Sequence, residues 1–177
     1  ILASNNESEV ASVLGHEIAH VTQRHLPRMI VQQKNDSIKT VLGIALALLV
    51  ARANPQLSAG TMTAASAMGI QKQLDYTREH EKEADRVGFQ ILTDSGFDGR
   101  AMVSFFSTLQ RGSRFSEGAA PSFLRTHPIT TERISDISNR VKDTRYRQIP
   151  DNPDFVYIKA KLRATNGTPQ SAVDEFE

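Results

Sequence analysis

Five consecutive residues, His16-Glu17-Ile18-Ala19-His20, constrain this chain more than any other stretch. They form an H-E-x-x-H pattern inside a run that reads as a helix. Positions four apart on a helix share a face, so both imidazoles can grip one metal ion. Glu17 falls one residue round, placed to take a proton from water rather than to bind the metal. Two ligands beside a base are the chemistry of a zinc peptidase.

The surrounding pattern supports a helix. Ser4-Asn5-Asn6-Glu7 has the S-x-x-E form of a capping box, and Val10, Val13, Leu14, Ile18 and Val21 follow at helical spacing. This predicts a first helix from about Asn6 to His25, with Pro27 as a kink or stop. His16 and His20 fall next to the apolar stripe and face inward.

At 177 residues the chain suits one domain with a small appendage. A net charge of +1, from 21 basic and 20 acidic residues, gives no electrostatic hold on nucleic acid or anionic lipid. The absence of cysteine excludes disulfides and thiolate metal sites, but it leaves the compartment open. The chain opens on Ile1 and closes on Glu177 in a helix-like run, which reads as a piece of a longer protein lacking its N-terminal part. The most apolar run, Val41 to Val50, is too short to cross a bilayer, which needs about 20 residues. It reads first as a buried core helix. The alternative is a hydrophobic helix near the active-site mouth that touches membrane or an unfolded client.

Further along, the small residues of Ala59 to Gly69 predict close helix packing, and a polar-rich helix is expected from about Ile70 to Thr93. Asp94-Ser95-Gly96 and Asp98-Gly99 are turn signals. Arg100 to Gln110 reads as an amphipathic helix, Gly112 to Pro128 as a surface loop, and Thr130 or Thr131 as the cap of a helix reaching about Val141. The composition changes at Gln148-Ile149-Pro150-Asp151-Asn152-Pro153, a plausible linker. Beyond it, Phe155 to Ala164 and Gln170 to Phe176 read as two helices joined at Asn166-Gly167, loosely like the start of a tetratricopeptide repeat.

A catalytic zinc takes three protein ligands and keeps a position for water. His25 lies about 140° round a continuous helix from His20, at roughly 100° per residue, which makes it a surface or helix-end histidine. The run Arg78-Glu79-His80-Glu81-Lys82-Glu83-Ala84-Asp85 is the better source. Glu81 and Asp85 share a helical face with Leu74, Gly88 and Leu92, and carboxylates on a buried stripe must be paired or bind metal. Glu81 is the expected third ligand. Asp85 is expected to orient a ligating imidazole through its other nitrogen. His80 is a rival ligand, and a plain charged face with i,i+4 pairs is the bland alternative.

These residues resemble the gluzincin family that contains HtpX and the CAAX prenyl proteases, and within it the BepA-like periplasmic branch with C-terminal tetratricopeptide repeats. The resemblance rests on Glu9 to His25 (EVASVLGHEIAHVTQRH), Glu81 to Gly88 (EKEADRVG), Gly96-Phe97-Asp98, and Thr126-His127-Pro128 with Arg133 following. It implies Glu81 as the third ligand. It also implies a place for His127 over the zinc cleft, as a catalytic donor to the oxyanion or as a cap on the open zinc position. Arg133 would contact substrate or pair with a carboxylate at the site. The expected architecture is a mainly α, zincin-like metallopeptidase domain over residues 1–147, followed at 148–177 by a linker and the first part of a helical module.

The expected function is hydrolysis of misfolded or stalled envelope proteins with one Zn2+ per chain, His16, His20 and Glu81 as ligands and Glu17 as the base. The resemblance places this in the bacterial periplasm, with unfolded proteins and the outer-membrane assembly machinery as partners. The alternative is a chaperone or assembly scaffold with a latent or structural zinc site; an integral-membrane prenyl-protein protease would need a spanning segment.

Overall fold

A computed structural model describes residues 1–53, 55–115, 122–147, 149–165, 168, 170 and 173. These residues are arranged as helices α1 (Glu7–Thr22), α2 (His25–Ala53), α3 (Pro55–Asp94), α4 (Arg100–Phe115), α5 (Ser122–Thr126), α6 (Thr131–Lys142) and α7 (Pro153–Ala164). No strand occurs among them. Two compact units emerge, Ile1–Ala19 with Asp85–Glu177, and His20–Ala84; α1 and α3 each run through both.

In the first unit, α4 supplies the core because its apolar residues fall at helical spacing. Met102, Phe105, Phe106 and Leu109 are all buried, and they pack with Phe89 and Leu92 of α3 and Ile137 of α6. Burying a side chain such as Phe106 contributes about 1.5–3 kcal/mol. Thr130 caps α6 by accepting a hydrogen bond from the Arg133 amide.

The cap of α1 sits two residues beyond the predicted Ser4–Glu7 box. Asn6 Oδ1 accepts from the Glu9 amide at 2.8 Å, and the Glu9 carboxylate accepts from the Asn5 amide at 2.6 Å. Glu9 is fully buried, so it has a third partner, the Ser104 hydroxyl of α4 at 2.7 Å. A buried carboxylate is tolerable on those terms.

The segments of α1 and α3 in this unit cross at Gly15 and Gly88. A Cβ on Gly88 would stand 2.8 Å from the His16 amide nitrogen, and one on Gly15 would stand 2.8 Å from the Gly88 carbonyl oxygen. Only glycine permits that approach. It brings the backbone of His16 against the helix that carries Asp85.

At the far end, Asn152 caps α7 and Pro153 opens it, where a missing amide hydrogen costs nothing. Glu7 and the α7 cap region are tied reciprocally: the Glu7 amide donates to Asp151 and the Asn152 amide donates to Glu7. The region predicted as one surface loop holds the end of α4 and all of α5. The predicted helix Gln170 to Phe176 and its joint at Asn166-Gly167 lie largely outside the described residues.

In the second unit, the predicted first helix does not reach His25. It ends at Thr22, and Arg24 takes a left-handed φ of 54° that starts α2 in a new direction. Pro27 is accommodated in the first turn of α2, where helices tolerate it.

The apolar run is not a buried core helix among its described side chains. Val41, Leu42, Ile44 and Leu48 are exposed, although Ala47 is buried. Leu74, predicted to lie on a buried stripe of α3, is likewise exposed, and a Cβ on Gly69 would meet nothing within 4 Å, so the close packing predicted there is absent at that position. No described helix is long and apolar enough to cross a membrane.

Candidate metal centre

Helix α1 carries His16 and His20 one turn apart, with Glu17 between them. Each histidine has its own set of partners.

In the first unit, His16 is fully buried with its ring edge-on to Phe106 and Phe123. Its Nδ1 lies 3.0 Å from Asp85 Oδ1. Asp85 is held by two of the three arms of the Arg133 guanidinium: Nε donates to Oδ2 at 2.6 Å and Nη2 donates to Oδ1 at 2.7 Å. The third arm, Nη1, donates to the Pro128 carbonyl at 2.8 Å, and the guanidinium lies 5.0 Å over the Phe106 ring. Such a fork fixes a carboxylate in orientation as well as place. Buried Arg133 is thus paired with a carboxylate of this unit, Asp85.

His127 caps the end of α5, its amide donating to the Phe123 carbonyl at 2.8 Å, with its ring stacked on Phe123. Its Nδ1 lies 3.4 Å from His16 Nε2 and its Nε2 lies 3.5 Å from Glu17 Oε1. The loop histidine therefore stands between a metal-ligand candidate and the candidate base.

In the second unit, His20 Nε2 lies 3.3 Å from Glu81 Oε1, and Glu81 is buried. His25 stands at a helix end, as the first residue of α2, but not at the surface. It is 4% exposed, and its Nδ1 approaches His20 Nδ1 to 2.9 Å. Its Nε2 lies 3.1 Å from Glu83 Oε2, which also accepts from Arg28 Nη1 at 2.7 Å. His80 stacks on His25 with rings 4.2 Å apart and tilted by only 7°, and the Tyr76 ring lies 4.0 Å from the His80 ring at 59° to it.

Burial lowers the His80 pKa to about 4, with neighbouring His25 adding to the effect. Burial also lowers that of His25, against the hydrogen bond it donates to Glu83. The Arg28 hydrogen bond holds Glu83 below the ordinary glutamate value, and Glu83 raises Arg28 in turn.

Two imidazoles and a carboxylate are the donor chemistry of a catalytic zinc site. Both rings have a protein group close to Nδ1, the arrangement that leaves Nε2 for a metal. The burial of His25 beside His20 and the close glycine crossing were not legible in the sequence. Gly88 stood in the recognised Glu81–Gly88 stretch, and nothing local announced the turn at Arg24.

The sequence profile described as Peptidase family M48 matches residues 1–141. The chain belongs to peptidase family M48. Among M48 relatives, the beta-barrel assembly-enhancing protease of Escherichia coli strain K12 is 39% identical over 158 residues, covering 89% of this chain and 32% of that protein. The protein of the same name from Yersinia pestis is 35% identical over 170 residues, covering 96% and 35% respectively. Metalloprotease YcaL of Escherichia coli strain K12 is 30% identical over 141 residues, covering 77% and 50%. The chain therefore spans about a third of the length of the assembly-enhancing relatives it matches. Its helical, strand-free described residues accord with a mainly α, zincin-like M48 domain.

Proposed function

We propose that this chain is the catalytic part of a zinc endopeptidase that hydrolyses misfolded or stalled envelope proteins. His16, His20 and Glu81 would hold one zinc ion, with Asp85 orienting His16. The observation that carries this reading is the pairing of an intact base, Glu17, with ligand candidates whose Nδ1 sides are already braced.

Zinc bound there would supply Lewis acidity to a water and to the scissile carbonyl. Glu17 takes the proton from that water as it attacks and delivers it to the leaving amine. Its side chain is 45% exposed, open to an entering substrate. His127, beside both His16 and Glu17, is placed either to donate to the oxyanion or to block the position a substrate would take.

The names of the relatives support a role in β-barrel assembly; the periplasm as compartment and the outer-membrane assembly machinery as partner follow from the family resemblance alone. Residues 1–147 would form the peptidase domain and 148–177 the linker and opening of a tetratricopeptide-like module. A second reading, a chaperone or scaffold with a latent zinc site, draws on the proximity of His127 to the base and on the exposed apolar side chains of α2.

The test is degradation of an unfolded model protein by wild type, Glu17→Gln and His127→Ala. Glu17→Gln should keep zinc and lose about 10²–10⁴-fold in rate. Acceleration in His127→Ala would make His127 an inhibitory cap. Zinc binding by all three without cleavage by any would favour the scaffold.

A further inference from the structure

We infer that His25 is a positioning residue for His20, setting the tautomer and ring orientation of that ligand through a directed chain of hydrogen bonds that starts at Glu83. The inference rests on the zinc reading for its consequence, but its geometry stands within one compact unit of the fold.

The direction of the chain follows from donor and acceptor counting. An ionised carboxylate only accepts, so the His25 Nε2 that lies 3.1 Å from Glu83 Oε2 carries the hydrogen. A neutral imidazole has one N–H, which leaves His25 Nδ1 as an acceptor. Two nitrogens 2.9 Å apart share one hydrogen, and His25 Nδ1 has none to give. His20 Nδ1 therefore donates. Its Nε2 is then a lone pair, and it faces Glu81 Oε1 at 3.3 Å. That lone pair is the donor a metal would take.

The rest of the cluster holds His25 in the required pose. Arg28 donates to the same Glu83 oxygen that receives His25, which fixes the start of the chain. His80 lies flat on the His25 ring and fixes its plane. The turn that aims His25 at His20 depends on Arg24 at φ 54°, a conformation that L side chains rarely adopt. Unfavourable backbone geometry of this kind persists only where the surroundings enforce it.

Two measurements test the inference. In metal-free protein near neutral pH, ¹⁵N NMR of His20 should show the proton on Nδ1, and in His25→Phe it should move toward Nε2. Zinc affinity by chelator competition should fall about 10–100-fold in His25→Phe. His25→Asn, whose amide oxygen can stand where Nδ1 stood, should recover most of that loss. A wild-type His20 protonated at Nε2 would overturn the inference, as would full affinity in His25→Phe or equal losses in the Phe and Asn variants. If wild type bound no zinc the peptidase reading would fail, and the tautomer would still decide the role of His25. The wild-type tautomer also decides it if His25→Phe does not fold.

Discussion

Two arginine–carboxylate pairs stand behind the ligand candidates of α1, and they differ chiefly in water. Arg133 and Asp85 are 4% and 2% exposed at their side chains, and the guanidinium engages both carboxylate oxygens. Arg28 and Glu83 are 46% and 27% exposed, and their hydrogen bond uses one oxygen, shared with His25. The first pair backs His16 directly and the second backs His20 through a histidine. The same chemical pair is thus a buried anchor in one place and a solvated tether in the other. Dryness, more than charge, decides how much each is worth.

The comparison breaks most visibly at Arg133. Arg133→Leu strands the Asp85 charge in a dry site, and stability measured by denaturant unfolding should drop by about 3–5 kcal/mol. Asp85→Asn in the same chain should restore part of it, because the stranded charge is gone. Near-neutral stability in Arg133→Leu would mean that the pair is wetter than its burial implies.

Arg28→Ala sharpens the contrast from the solvated side. The expected loss is about 0.2–1 kcal/mol and should shrink in high salt, since exposed ion pairs are screened. A loss as large as that of Arg133→Leu would show the two pairs to be equivalent.

The smallest effect belongs to a half-exposed pair, Asp36 of α2 with Lys72 of α3, 2.9 Å apart. The Lys72 hydrogen bond lowers the Asp36 pKa below the ordinary aspartate value of 3.8. A depressed carboxylate pKa contributes stability above 3.8, and that contribution is lost as pH falls through the lower, folded value. Asp36→Asn should therefore shift the melting temperature slightly at neutral pH and not at all at the acid end. A shift that persisted in acid would assign the effect to packing.

Much of the arrangement was readable along the chain because it is local. Glu81 and Asp85 share a face of α3 by spacing alone, and both are buried. The apolar side of α4 and the Thr130 cap were equally plain, since helical period and capping act over a few residues. What escaped depended on distant partners. His25 was placed by extrapolating α1 past Thr22, and the left-handed Arg24 broke the extrapolation. The run from Val41 promised a core helix from its composition, yet its described side chains are largely exposed, because burial needs a second surface and composition cannot supply one.

By itself, then, the sequence determined which side chains share a helical face and what donors they offer: two imidazoles and a base on α1, two carboxylates on α3. A helix repeats its geometry from residue to residue, so spacing alone carries that information. Only the tertiary structure decided that Asp85 meets Arg133, 48 residues away, and that His25 meets Glu83, 58 residues away. Periodicity states the direction in which a side chain points. Which group waits there, and whether water reaches it, depends on how separate elements close on one another.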